Sequence, residues 1–507
     1  MLTIINRAVA FLIEAPAPYL TQSVKRIIIQ LINLKGDKMK RKRFIVLSAL
    51  IAVVVLAPGL SACGDNHKSN GKPNTDVVAE VFTEGLEYTE IYSDDGKVVS
   101  YSVSGLGTAT DSEIIIPSVH NGKPVTAIDR FAFDGYSESK DFTGVTIPDS
   151  VKSIGEYAFR YCQKLTDITI GNGVRSIGIC PFEGTAYYED ESNWEDDVLY
   201  VGKYLINARG EFLGNYEIKH GTLAIADRAL LWWPDLTGVT LPDGLVSIGE
   251  SAFEGCNKIT EIVIPDSVTC IGNSAFASCS SLTDLTLGAG LTDIGFYAFG
   301  GCGSLTSVSF PDGVISIGER AFIDCGNLAS ITISDSVKSI GWGAFEDTAY
   351  YDEESNWANG VLYIGRHLIR ARESISGSYE IKSGTLTIAV EAFKDCNRLT
   401  GVIVPDSVTD ISASVFCNCS KLKSVTLPET IKSIGNRAFM GCTDLSELSI
   451  GLSIESIGEE VFCYCDSLTD IYFNGTILEW EKVEKSRAWD YNFFNFTVHC
   501  TNGGFKK

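Results

Sequence analysis

The chain has 507 residues, too many for one ordinary compact core, so it holds several domains or a repeat array. Its net charge of −23, from 41 Lys and Arg against 64 Asp and Glu, argues against nucleic acid and anionic lipid surfaces as partners, because both need clustered cations. The charge is unevenly placed: residues 1–62 carry nine basic and two acidic side chains, a net of +7, ahead of a body at −30.

A basic leader before an acidic body points to export. Residues 39–43 (Met39, Lys40, Arg41, Lys42, Arg43) form a positive start, and Phe44 to Leu56 is an apolar run of 13 residues. That is short of the roughly 20 needed to span a bilayer but right for the apolar part of a signal peptide. Leu60-Ser61-Ala62-Cys63-Gly64 follows and resembles the lipobox of bacterial lipoproteins, which is cut before its cysteine. The resemblance implies that residues 39–62 are a signal peptide and that Cys63 carries a diacylglyceryl thioether. Residues 63–84 then form a polar tether. Without lipid, the same segment reads as an ordinary secretory signal. Residues 1–38 are poor signal material. Residues 35–39 (Lys-Gly-Asp-Lys-Met) could be the translation of a ribosome-binding site, which would make Met39 the start; the other reading is an amphipathic leader over Val24–Leu34.

An internal repeat dominates the remainder. The pair Ala-Phe places Phe253, Phe276, Phe299, Phe322 and Phe345 at intervals of 23 residues, and Phe393, Phe416, Phe439 and Phe462 at the same interval. With Phe133, Phe159, Phe182 and the variant Leu230, that makes 13 units. In each unit a segment such as Leu282 to Leu287 alternates apolar residues with Thr, Ser, Asp or Glu, the pattern of a half-buried strand. Pro-Asp pairs (Pro148-Asp149, Pro265-Asp266, Pro405-Asp406) place Pro at the second position of a type I turn. The Ile-Gly pairs at Gly155, Gly249, Gly272, Gly318 and Gly435 mark a position needing either positive φ or close backbone approach. Ala-Phe-x-x-Cys reads as one short helical or 3-10 turn on the far side. Stacked coils at about 4.8 Å each would form a parallel sheet on one face of an array roughly 60 Å long, and would bury one another's apolar columns.

The recurring Leu-Thr-x-Val/Ile-Thr-Ile-Pro-Asp-Ser-Val-x-x-Ile-Gly-x-x-Ala-Phe-x-x-Cys resembles the BspA-like class of leucine-rich repeats of bacterial surface proteins. The fold class is therefore a β-rich leucine-rich-repeat solenoid of 23-residue units over residues 129–470. The resemblance implies an adhesin or binding scaffold without catalytic machinery or cofactor. It also implies an opening β cap over residues 85–128 and a closing cap over 471–507, which contains Trp480 and Trp489.

Twice the interval jumps to 48, from Phe182 to Leu230 and from Phe345 to Phe393. The extra segments, residues 185–209 and 348–372, are identical at 16 of 25 positions. They read as β-hairpins leaving one side of the array. Their aromatics, Tyr188, Trp194 and Tyr200 in one and Tyr351, Trp357 and Tyr363 in the other, are either exposed binding anchors or packing that holds the hairpin down. The second candidate site is the polar stripe between the inward strand residues, in which Asp167, Glu261, Asp284 and Glu447 are the acids. It suits a broad multivalent contact rather than a small-molecule pocket, although Ser and Thr there also simply favour strands.

Nine of the 15 cysteines occupy the position three after the Phe, where a column of free thiols is expected. The five His form no metal or catalytic motif, no nucleophile elbow or phosphate loop is present, and the carboxylates recur with the period. The expected function is therefore adhesion at the bacterial surface, with no enzyme activity and no metal. The expected partners are a host extracellular protein or glycan, or another bacterium, with membrane contact through the lipid alone. The alternatives are an envelope scaffold with no outside ligand and a substrate-capture lipoprotein.

Overall fold

The computed structural model describes residues 82–93, 96–136, 141–210, 214–491 and 496–506. The expected leader, signal peptide, Cys63 and nearly all of the tether fall in residues 1–81, outside the described residues.

Each coil of the solenoid contributes two strands. The first is the alternating segment. Glu261–Val263 pairs in parallel with Asp284–Thr286 at a register of one period, so Glu261 faces Asp284 and Ile262 faces Leu285. The second is only two residues long and was not foreseen: Ser247–Ile248, Cys270–Ile271, Asp293–Ile294, Ser316–Ile317 and Ser339–Ile340 form a second parallel ladder. The first ladder is broken into several short sheets, whereas the second runs on through nine strands from the first insert.

Between the ladders the chain turns at Pro-Asp, but Pro opens that turn. Its carbonyl accepts from the residue three later, as Val268 N donates to Pro265 O (3.0 Å) and Val408 N to Pro405 O (3.0 Å). Proline at the strand's end is suitable because it has no N–H left to pair. The Ile-Gly glycines serve close approach. A Cβ on Gly272 would lie 2.6 Å from the backbone of Gly249, and one on Gly318 would lie 2.5 Å from that of Gly295. Successive glycines therefore let the coils stack at strand spacing.

The Ala-Phe side is not a helix. Alternate N–H groups close i→i−3 turns, such as Ala275 to Gly272 and Cys279 to Phe276, while those between reach the next coil. Ser274 N donates to Phe296 O (2.7 Å), Phe276 N to Ala298 O (2.8 Å) and Ser278 N to Gly300 O (2.7 Å). This third set of inter-coil bonds requires a left-handed residue on each side of the Phe, as at Ser274 (φ 53°) and Ser278 (φ 58°). The position is occupied mostly by residues other than glycine, and each such residue costs roughly 1 kcal/mol. The inter-coil bonds hold it there.

Inside, the Phe rings stack in register, Phe253 on Phe276 at 5.1 Å and Phe276 on Phe299 at 5.3 Å between centroids, within 5° of parallel. The cysteine three residues on does more than fill space. Its thiol donates to the Phe carbonyl of the coil before, as in Cys302 Sγ to Phe276 O (3.3 Å) and Cys442 Sγ to Phe416 O (3.1 Å). Cys256, Cys279, Cys302, Cys325, Cys396, Cys419, Cys442 and Cys465 are all buried free thiols. In the variant coil Leu230 replaces Phe and Trp233 replaces Cys, and both stay buried, so volume is exchanged between the two columns.

At the start of the array, Glu87–Tyr92 lies antiparallel to Val98–Gly105, which joins the second ladder through Lys123–Ile128. At the other end, Thr476 and Glu479 form a capping box on the helix Ile477–Lys482. Its Trp480 meets Trp489, which closes edge-on over Phe462.

Phe299→Ala should cost about 3–5 kcal/mol in urea unfolding, because stacked neighbours on both sides cannot close the gap; Phe299→Leu should cost clearly less. Burial pushes the Cys256 and Cys465 thiols up to about 12 from an ordinary value of 9.0. A raised acid favours the folded state while protonated, so stability should fall as pH rises from about 9 towards 12. Urea midpoints at pH 8 and pH 10.5 would check this, and Cys256→Ala should reduce the difference.

Candidate functional site

The two inserts are built alike. Thr185 and Thr348 stand where other coils carry the column cysteine. Each hydroxyl donates to the Phe carbonyl of its own turn (2.8 Å in both) and accepts from the backbone three residues on (3.1 Å). That N-cap starts the short helices Ala186–Glu189 and Ala349–Asp352, where the chain leaves the repeat path. This Cys-to-Thr exchange is the sequence signal that announces an insert.

Three strands follow in each insert rather than the two of a hairpin: Trp194–Glu195, Val198–Val201 and Tyr204–Ala208, with Trp357–Ala358, Val361–Ile364 and His367–Ala371 in the copy. The first link is a two-residue turn with both residues left-handed, Asp196-Asp197 (φ 48° and 60°) or Asn359-Gly360 (φ 53° and 78°). The third strand pairs in parallel with the second ladder, Leu205 beside Ile225 and Leu368 beside Ile388.

The expectation of hairpins leaving the array is therefore corrected: both inserts are built into it. All four residues of Val198–Val201 and of Val361–Ile364 are buried. In the second insert the alternate side chains face two separate apolar clusters. Leu362 and Ile364 join the core on the N-terminal side, and Val361 and Tyr363 join the core on the C-terminal side. The strand acts as a partition within the stack.

The insert aromatics follow from this. Trp194, Tyr200 and Tyr363 are under 10% exposed, and Tyr188, Tyr351 and Trp357 are half-buried. Trp194 Nε1 donates to Tyr188 O and Trp357 Nε1 to Tyr351 O, both at 2.7 Å. Each Trp stands edge-on to its Tyr at 5.1 Å. The Tyr200 hydroxyl meets that of Tyr216 (3.0 Å), and Tyr363 meets Tyr379 (3.2 Å). Cations lie over four of the rings: Arg209 on Trp194, Arg372 on Trp357, Lys219 on Tyr200 and Lys382 on Tyr363, at 4.1–4.5 Å. Rather than free binding anchors, these six residues pack the insert: Trp194, Trp357, Tyr200 and Tyr363 have hydrogen-bonded polar ends and a cation on the ring, and Tyr188 and Tyr351 lie edge-on to the indoles.

The inserts differ in polar chemistry at one buried position. Tyr204 donates its hydroxyl to Gly171 O, and the matching His367 sets Nε2 against Ser334 O (3.2 Å). His367 is fully buried, and its Nδ1 has no partner.

The stripe on the first ladder remains exposed. Asp167, Glu261, Asp284 and Glu447 all face outward with Thr169, Val263, Thr286 and Ser449 beside them. The structure brings only Glu261 and Asp284 together, as partners in one two-stranded sheet. Asp167 lies opposite Gly144 in another sheet, and Glu447 lies opposite Asp470 in a third. Asp470 is itself engaged by His499 Nε2 at 2.6 Å, which holds its carboxyl below the usual range. Among the described residues no group of three or more His, Cys, Asp or Glu is arranged to hold a metal ion.

Burial pushes the His367 imidazole below its ordinary 6.5. A depressed base favours the folded state while neutral, so this contribution is present above pH 6.5 and lost as pH falls below it. His367→Tyr, which installs the residue of the first insert, should fold and should flatten the decline in melting temperature between pH 7 and pH 5.

A family model described as the BspA type leucine rich repeat region matches in six copies, at residues 114–209, 224–351 and 374–484. No curated protein matches the chain. Among solved structures, the chain is similar to a leucine rich cell surface protein from Faecalibacterium prausnitzii A2-165. Identity is 25%, over 80% of this chain and 97% of that one, with a TM-score of 0.25. A leucine-rich repeat protein from Bacteroides ovatus ATCC 8483 is 23% identical over 83% and 99%, with a TM-score of 0.27. The pneumococcal vaccine antigen PcpA is 18% identical over 83% and 93%, with a TM-score of 0.24. At such scores the superpositions add nothing to the sequence match. That match covers well over half of the chain and follows the same 23-residue coils, and the chain belongs to the BspA-type leucine-rich-repeat family.

Proposed function

We propose that the chain is an exported, lipid-anchored surface protein that binds a host extracellular protein or glycan, or another bacterial surface, through the outer face of its first ladder. One observation carries this reading. Coil after coil presents short polar side chains outward, in Ser307–Ser309, Ser330–Thr332 and Ser424–Thr426, with the residue between them turned inward. A solenoid that spends its apolar side chains on its own columns leaves such a face for extended, multivalent contact. The basic start, the apolar run and the lipobox-like Leu60 to Gly64 support export and a lipid on Cys63. Two or three acyl chains, at about 0.8 kcal/mol per buried CH₂, hold a protein firmly at a membrane. The reading includes no catalysis, since the acids recur with the period instead of converging.

A second reading, an envelope scaffold with no outside ligand, is favoured by the engagement of all six insert aromatics.

Two measurements separate the readings. Cys63→Ser should release the protein from the membrane fraction into the medium, and a protein retained in the cytoplasm would overturn both. Cells displaying the chain should bind immobilised matrix proteins or mucin glycans. Charge reversal at Glu261 and Asp284 should weaken that binding by about tenfold or more, while Trp194→Phe leaves it unchanged. Absence of binding on either panel would favour the scaffold.

A further inference from the structure

We infer that a groove on the first ladder, just after the first insert, is a subsite for an uncharged saccharide; the inference rests on the surface-binding reading above. The groove encloses about 410 Å³. Asn215, Thr240, Asp243 and Glu261 form its polar wall, and Val263 its apolar floor. Val263 is 50% exposed, one of the few apolar residues on a face made mostly of Ser, Thr and acids.

The groove exists for two local reasons. Gly238 stands where the next two coils carry Glu261 and Asp284, so one side chain of the outer column is missing, as it also is at Gly401 after the second insert; a Cβ on Gly238 would meet Asn215 Oδ1 at 2.7 Å. The ladder also parts at this point. Leu236–Thr240 pairs with Gly214–Glu217, and Glu261–Val263 starts a separate sheet.

The second insert provides an internal comparison. The corresponding residues there are Ser378, Ile403, Asp406, Ser424 and Thr426, and the three strands that carry them form one sheet without a seam. The two segments are near copies inside the array, yet on this outer face they differ at four of these five positions, among them a carboxylate and an amide, and in the continuity of the sheet.

The chemistry of the lining selects the ligand. No Lys or Arg lines the groove, and two carboxylates do, so sialylated, sulfated and phosphorylated groups are repelled. A cationic side chain would use the carboxylates but leave the other groups idle. Asn215 Oδ1 is taken by Thr237 Oγ1 at 3.0 Å, which leaves the amide Nδ2 to donate. Carboxylate acceptors, an amide donor and a hydroxyl around an apolar floor match sugar hydroxyls, which both donate and accept, and the C–H face of a pyranose ring.

The test uses the full chain on an array of neutral oligosaccharides ending in glucose, galactose, mannose or N-acetylhexosamine, beside sialylated and sulfated chains and matrix proteins. Two variants remove the site differently: Asp243→Ala with Glu261→Ala deletes the carboxylates, and Val263→Trp fills the groove from an exposed position. Ser424→Ala is the control on the second insert's face, and melting curves establish that each variant folds. Neutral glycan binding that falls about tenfold or more in both site variants and holds in the control supports the proposal. Neutral glycan binding unchanged in either site variant overturns it. Binding to matrix proteins or to anionic glycans alone also overturns it, while leaving the surface-binding reading intact. Binding to nothing overturns both.

Discussion

The structure depends on one constraint, the register of backbone hydrogen bonds from each coil to the next. Three separate sets of bonds, two strand ladders and the alternating bonds of the Ala-Phe turns, must close at the same step. A step of 23 residues satisfies all three in the regular coils, and the longer coils near the two ends place their extra residues between the bonded positions. Every other feature of the repeat serves that register. Glycine lets backbone approach backbone, proline ends the first strand, and left-handed residues aim alternate N–H groups along the axis. The side-chain columns are a consequence: once backbones stack in register, Phe must lie on Phe, and a thiol must face the carbonyl of the coil before.

The same constraint explains how the chain accommodates 25 extra residues twice. The inserts do not loosen the register. They leave it at a threonine cap, run through three strands, and rejoin the second ladder with Leu205 or Leu368 in an isoleucine's place. Their aromatic residues are the means of rejoining. Indole N–H groups satisfy backbone carbonyls of the insert, Tyr hydroxyls pair with one another, and cations cover the ring faces, inside a stack where an unsatisfied polar group would cost a few kcal/mol. The second insert also divides the apolar core, since alternate residues of one strand serve the two halves.

The register leaves one surface over, and the proposed function falls to it. A parallel ladder exposes every second residue at a fixed spacing, so the outer face repeats nearly the same chemistry along its length. Such a surface favours many weak contacts. Distinct chemistry arises only where the repeat is interrupted, and the seam beside Gly238 is such a place. The acids of the stripe are therefore not equivalent: Glu261 and Asp284 share a sheet, while Asp167 and Glu447 sit among other neighbours.

The sequence by itself determined the coil. The 23-residue interval, the alternation of Leu282 to Leu287 and the column of Phe and Cys are local patterns whose meaning does not depend on distant residues, because every coil meets a copy of itself. It also marked where the inserts lie. What the inserts do was decided by tertiary structure. A segment rich in Tyr and Trp reads the same whether its rings face water or a neighbouring coil, and only the pairing of Tyr204–Ala208 with the second ladder turned them inward. The second ladder escaped notice because two-residue strands carry no periodicity. The groove escaped because it lies at a break in strand pairing between Leu236–Thr240 and Glu261–Val263, beside Asn215 and Gly238, residues 23 apart in sequence that only stacking makes neighbours.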